Sequence, residues 1–90
     1  MMKAPYLEVT YRHGRALAAY LYLPVAGDRR SVRSERMEPG MVVDYDAERR
    51  PLGIEITTPE RLTLTELNRV LAQLGVTPAT PEDLAPLKAA

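Results

Sequence analysis

Asp44, Asp46 and Glu55 are the carboxylates whose spacing first suggests a shared task. Asp44 and Asp46 stand two apart in the alternating run Met41-Val42-Val43-Asp44-Tyr45-Asp46, which puts both on one strand face. Glu55 belongs to the next such run. Carboxylates gathered this way can bind a hard cation through oxygen, or hold a proton between them when buried together. The competing reading makes them the polar face and turn caps of a hairpin, because aspartate bonds readily to nearby backbone amides. Asp44-x-Asp46 is far too short for a calcium loop. The adopted reading is structural: no catalytic residue, metal or cofactor is assigned.

Other chemistry-bearing residues are sparse. The chain has no cysteine, so thiolate nucleophiles, disulfides and cysteine-based metal sites are excluded by inventory. His13, the one histidine, sits beside Gly14 in a predicted turn and lacks a second imidazole for a metal site or relay. Ser31 and Ser34 have no nucleophile-elbow pattern around them, and no glycine-rich run could cradle a phosphate. The inventory leans away from an enzyme.

Charge is divided along the chain although the net charge is zero: residues 1–36 carry seven basic and three acidic side chains, residues 37–90 five and nine. Arg29, Arg30, Arg33 and Arg36 supply most of the basic half. They form a candidate basic patch, but a nucleic-acid module normally adds an overall basic excess. A solvated, salt-bridged edge accounts for them, and nucleic acid is disfavoured as a partner.

The elements that must position these groups follow from periodicity. Residues 6–11 alternate, with Leu7, Val9 and Tyr11 on one face and Tyr6, Glu8 and Thr10 on the other. After the His13-Gly14 turn, residues 16–23 form a second strand with two apolar faces: Leu17, Ala19, Leu21 and Leu23 against Ala16, Ala18, Tyr20 and Tyr22. Something must cover both: a second helix, a folded-back tail or another subunit. Pro24 to Asp28 reads as a loop, and Arg29 to Glu38 contains a short edge strand. Residues 41–46 and 52–57 make a second hairpin, in which Gly53 marks a bulge or a close approach by another group. Thr63-Leu64-Thr65-Glu66 is a capping box. It opens a helix whose Leu64, Leu67, Val70, Leu71 and Leu74 make one stripe that ends at Gly75. Residues 76–90 read as a short helix or tail.

The expected fold is therefore α+β and a single domain over 1–90. Residues 6–58 form a small antiparallel β-meander, two hairpins plus an edge strand, covered on one face by the amphipathic helix 63–75. No segment reaches the roughly 20 apolar residues of a membrane span, and Met1 to Pro5 shows no secretory leader, so the cytoplasm is the expected location.

Glu38-Pro39-Gly40-Met41-Val42-Val43-Asp44-Tyr45-Asp46 followed by Pro51-Leu52-Gly53-Ile54-Glu55-Ile56 resembles the signature of the YuzE-like family, short prokaryotic proteins of unknown function. Tyr11 and Tyr20-Leu21-Tyr22-Leu23 echo that family's first hairpin, while Arg12 stands where the family tends to have an acid. The resemblance covers residues 6–58 and marks Gly40, Asp44, Tyr45, Asp46, Gly53 and Glu55 as motif positions. It implies a β-rich fold without an established activity and, further, a role beside a partner such as a toxin.

Tyr6, Tyr20 and Tyr22 carry the functional expectation. They are placed to stack on the first hairpin opposite the leucine face, and tyrosine is enriched at protein interfaces. Either a second subunit or protein partner covers them, or the tail from Val76 to Leu87 does. The leading reading is a non-enzymatic interaction module, homo-oligomeric or bound to a protein partner. The rival readings are a cation or small-molecule site at Asp44, Asp46 and Glu55, and a weak nucleic-acid contact through Arg29 to Arg36.

Overall fold

A computed structural model of the protein describes residues 5–25 and 29–88. Met1 to Ala4, part of the segment without a leader pattern, and Ala26 to Asp28 of the predicted loop lie outside the described residues, as do the last two positions of the tail. Five strands form one sheet: β1 (Tyr6–Arg12), β2 (Arg15–Tyr22), β3 (Arg33–Met37), β4 (Met41–Tyr45) and β5 (Pro51–Ile56). All neighbours are antiparallel, in the order β1-β2-β5-β4-β3. One helix, α1 (Leu64–Gln73), completes an α+β fold.

Register follows the apolar pattern because a one-residue slip would expose every core side chain. Leu7, Leu21, Ile54 and Val43 are cross-strand neighbours, and Val9, Ala19, Ile56 and Met41 form the next row on the same face. Leu21, Ile54, Met41 and Val43 are fully buried there. Leu67, Val70 and Leu71 of α1 close the core from above, as the helical stripe requires.

The helix ends obey local rules with one departure. Thr63 Oγ1 accepts from the Glu66 amide at 3.1 Å, but the return bond of a capping box is absent among the described residues. The Glu66 side chain instead lines a small cleft with Pro39, Gly40 and Arg61. At the other end Gly75 takes φ +72°, and the amides of Gly75 and Val76 donate to Ala72 O and Leu71 O in a Schellman cap.

The remaining short turns lie with the core. Pro59–Arg61 and Pro81–Lys88 are 3-10 segments, and Leu62, Leu84 and Leu87 pack against the buried cluster. Tyr11, on the core face of β1, donates its hydroxyl to Pro86 O. Asn68 of α1 fixes the chain just before the second 3-10 segment, accepting from the Ala79 amide at 2.7 Å and donating to Ala79 O at 3.2 Å. The alternative in which residues 76–87 cover the tyrosines is thereby overturned: Leu84 and Leu87 find apolar neighbours beside α1, on the opposite side of the sheet.

No helix among the described residues is long and apolar enough to cross a membrane.

Candidate interaction face

The face of the sheet away from α1 is built by strand alternation alone. One row across it reads Tyr6, Tyr22, Gly53, Asp44, Ser34; the next reads Glu8, Tyr20, Glu55, Val42, Arg36. Tyr6 and Tyr22 stack with ring centroids 4.7 Å apart and planes 16° apart, and Tyr20 meets Tyr22 edge-on at 4.8 Å. Both arrangements suit the ring quadrupole. Tyr6 is 51% exposed, Tyr20 and Tyr22 are half-buried, and among the described residues no element packs over them.

Tyr20 does not stand upright. Its ring lies across β5 at Gly53, where a β-carbon would come within 2.3 Å of Tyr20 Cε2. The missing side chain lets the phenol reach β4 and donate to Asp44 Oδ2 at 2.8 Å, while Ser34 Oγ on β3 donates to Asp44 Oδ1 at 2.6 Å. Both expectations for Gly53 are met: Tyr20 approaches it closely, and the β4–β5 register shift falls beside it, Asp44 pairing with Gly53 and Tyr45 with Pro51. Burial, then the hydrogen bond to Asp44, pushes the Tyr20 phenol well above its ordinary range. Tyr22 is raised too, by burial and by Glu8, whose carboxylate accepts from its hydroxyl at 3.3 Å.

Asp46 does not share this face. The β4–β5 register shifts between Asp44 and Tyr45, and Asp46 turns into the hairpin loop, where it is 6% exposed. Its Oδ1 accepts from the amides of Glu48 and Arg50 at 2.9 and 2.8 Å, and its Oδ2 from Arg50 Nε at 2.8 Å. The shared strand face expected of Asp44 and Asp46 is thus corrected: β4 ends at Tyr45, and Asp46 caps the loop that follows. Glu55 stays exposed beside Tyr20 and Val42, and no group of three potential metal-ligating side chains is assembled among the described residues.

Burial alone would raise the Asp46 carboxyl, but the hydrogen bonds from Arg50 and Glu48 outweigh it and hold the group below its ordinary value. A depressed folded value contributes stability above the unfolded-state value, about 3.9, and that contribution disappears as pH falls through the folded value. The urea midpoint is therefore expected to drop as pH is lowered below about 4. Asp46→Asn should be less stable than the wild type near pH 7, and the gap should narrow in acid. A gap independent of pH would assign the loss to geometry rather than charge.

The four arginines of the edge segment do not make one basic surface. Arg29 donates to Leu23 O at 2.9 Å and Leu52 O at 2.6 Å, tying the ends of β2 and β5, and its guanidinium lies 5.8 Å from the Tyr22 ring centre. Arg33 bonds Glu35 at 2.7 Å and lies over Tyr45 at 5.5 Å. Arg36 alternates onto the tyrosine face, opposite in direction to Arg33, and Arg30 is exposed. Gly40 and Tyr45 have structural places as well. Gly40 O, in the β3–β4 turn, accepts from the Thr57 amide and hydroxyl at 2.9 and 3.0 Å, and Tyr45 packs against the core.

Sequence reasoning placed Tyr6, Tyr20 and Tyr22 on one face but missed Glu8 and Arg29 as their flanking charges. For Glu8 the alternation with Tyr6 was a sufficient signal; Arg29 reaches Tyr22 only through its bonds to two strand ends. Among curated proteins, and among solved structures, nothing matches the chain. A scan against protein-family models matches residues 18–58, from within β2 to just past β5, to DUF2283, a family of proteins of unknown function.

Proposed function

We propose that this chain is a non-enzymatic protein-interaction module that associates with a second copy of itself through the tyrosine face of its sheet, and that it is a YuzE-like protein, a reading supported by the resemblance of its second hairpin. The observation that carries the association is the stacked Tyr6–Tyr22 pair with Tyr20 on a face that no element among the described residues covers. Tyrosine supplies large contact area at low entropic cost, and an open aromatic sheet face is what a partner would bury.

Charge placement favours a second copy as the partner. Glu8 sits on edge strand β1 and Arg36 on the opposite edge, β3, at the same height along the strands. A twofold axis lying along β5 sets each Glu8 over the partner's Arg36 and each Tyr20 over the partner's Val42. It also brings the two Glu55 carboxylates together, which weakens the pair. Five strands at about 4.8 Å spacing give a face only roughly 24 Å wide, at the small end of specific interfaces. A weak, reversible dimer follows.

Sedimentation at rising concentration tests this. The wild type should dimerise in the high-micromolar range, and Tyr20→Ser with Tyr22→Ser should give a monomer with an unchanged far-ultraviolet spectrum. Arg36→Glu should weaken the dimer, Glu8→Arg on the same chain should restore it, and Glu55→Gln should tighten it. A wild type that stays monomeric at that concentration defeats the reading.

A further inference from the structure

A cleft of about 710 Å³ opens at the β1–β2 turn end of the sheet, away from the rows of the tyrosine face. Arg12 and Arg15 enter it from the strand ends, where the register sets them directly opposite each other. Like charges so placed repel. Arg61 arrives from the 3-10 segment after β5, and His13 and Thr58 complete the polar lining. Among the described residues, the side chains of Arg12, His13 and Arg61 take no hydrogen bond or ion pair.

Among the described residues, one carboxylate, Glu60, is bonded to this cluster. Glu60 bonds Arg15 Nε at 3.3 Å and Nη2 at 3.4 Å, with both side chains well exposed. Within the lining of this cleft, three guanidinium groups accompany one carboxylate. A phosphate monoester carries about −1.5 to −2 at neutral pH and offers three acceptor oxygens to guanidinium forks and a hydroxyl. Beside the arginines the cleft has an apolar wall, Ala16 and Leu17, and Leu17 is 49% exposed, unusual for a leucine within a strand.

We infer that this cleft binds a small phosphate monoester, with the phosphate held by Arg12, Arg15 and Arg61 and the organic body laid on Leu17. His13 occupies the first central position of a two-residue turn at φ +54°, followed by Gly14 at +77°. This left-handed pair projects the imidazole at the mouth of the cleft, where it can donate to the bound oxyanion.

Titration of the full chain with inorganic phosphate and with phenyl phosphate, followed by amide chemical shifts at fixed ionic strength, tests the assignment. Saturable shifts should be confined to residues 12–17 and 57–61, and phenyl phosphate should bind about fivefold more tightly than phosphate through burial against Leu17. Arg12→Gln with Arg61→Gln should weaken both ligands at least roughly tenfold, as loss of charged hydrogen bonds does. Leu17→Ser should erase the preference for the phenyl ester, and Arg69→Gln, on the exposed side of α1, should change nothing. Shifts that never saturate, or an Arg69→Gln effect equal to that of the double variant, would overturn the site. Equal binding of the two ligands would overturn the role of Leu17.

Discussion

Gly53→Ala is expected to cost about 1–3 kcal/mol of folding stability, the range for forcing extra carbon into a filled space. The new methyl would sit 2.3 Å from Tyr20 Cε2, 2.5 Å from its hydroxyl oxygen and 2.6 Å from Cζ. No small adjustment relieves three contacts of that kind, because β5 is hydrogen-bonded on both sides, to β2 and to β4. The phenol must swing away and release Asp44, which keeps only Ser34 as a partner. Two readouts separate this account from a general dislike of alanine. Tyr20→Ala should cost less in the Gly53→Ala background than in the wild type, because the clash has gone. In an alkaline absorbance titration the Tyr20 phenol, now held high by burial and Asp44, should return toward the ordinary range near 10. The sign fixes the pH window. A raised folded value contributes stability that is whole below about 10 and is lost as pH climbs through the folded value, so the wild type should lose more stability in strong alkali than Gly53→Ala does. Equal stabilities with an unmoved Tyr20 titration would show that the ring does not depend on Gly53.

The elements were legible because each has a single dominant period. Alternation in residues 6–11 and 52–57 and the leucine stripe from Leu64 to Leu74 gave strands and a helix close to those observed, and the edge position of Arg33–Met37 followed from its polarity. What stayed hidden depends on events between elements. Asp46 shares the alternation of Asp44 in sequence, but β4 ends at Tyr45 and Asp46 enters the loop, where it accepts from two backbone amides and from the Arg50 side chain. Glu66 has the right spacing for its cap, yet it lines a cleft with Arg61 and makes no return bond to Thr63 among the described residues. The tail could have covered either face of β2; residues 76–88 do not themselves say that Leu84 and Leu87 pack beside α1.

The two candidate surfaces differ in legibility for the same reason. Tyr6, Tyr20 and Tyr22 belong to one hairpin, whose pairing sets Tyr6 opposite Tyr22 within a short loop of chain. The arginine cleft needs Arg61 and Thr58, which join Arg12 and Arg15 only because β5 pairs with β2 and delivers the following turn to the same sheet end. Long-range pairing builds it, and local pattern carries no trace of long-range pairing.

Leu67→Ala is expected to be the most damaging single substitution, at about 2–5 kcal/mol for a buried leucine truncated to alanine. Domains of this size have roughly 0.05–0.15 kcal/mol of stability per residue, so the loss consumes a large share of the total. Leu67 is fully buried and belongs to the cluster formed by Leu21, Met41, Val43, Ile54 and Ile56. Those five residues all fall within the segment that matches the family model, residues 18–58, whereas α1 lies beyond it. The sheet leaves them without cover of their own, since a single layer buries an apolar face only against another element. The helix after the matched segment is therefore a condition of its folding. Leu64→Ala, at the half-buried start of α1, is the control and should cost about 1 kcal/mol, in line with partial burial. Chemical denaturation of the two variants decides the matter: if Leu67→Ala is no worse than Leu64→Ala, the core is closed by something other than α1.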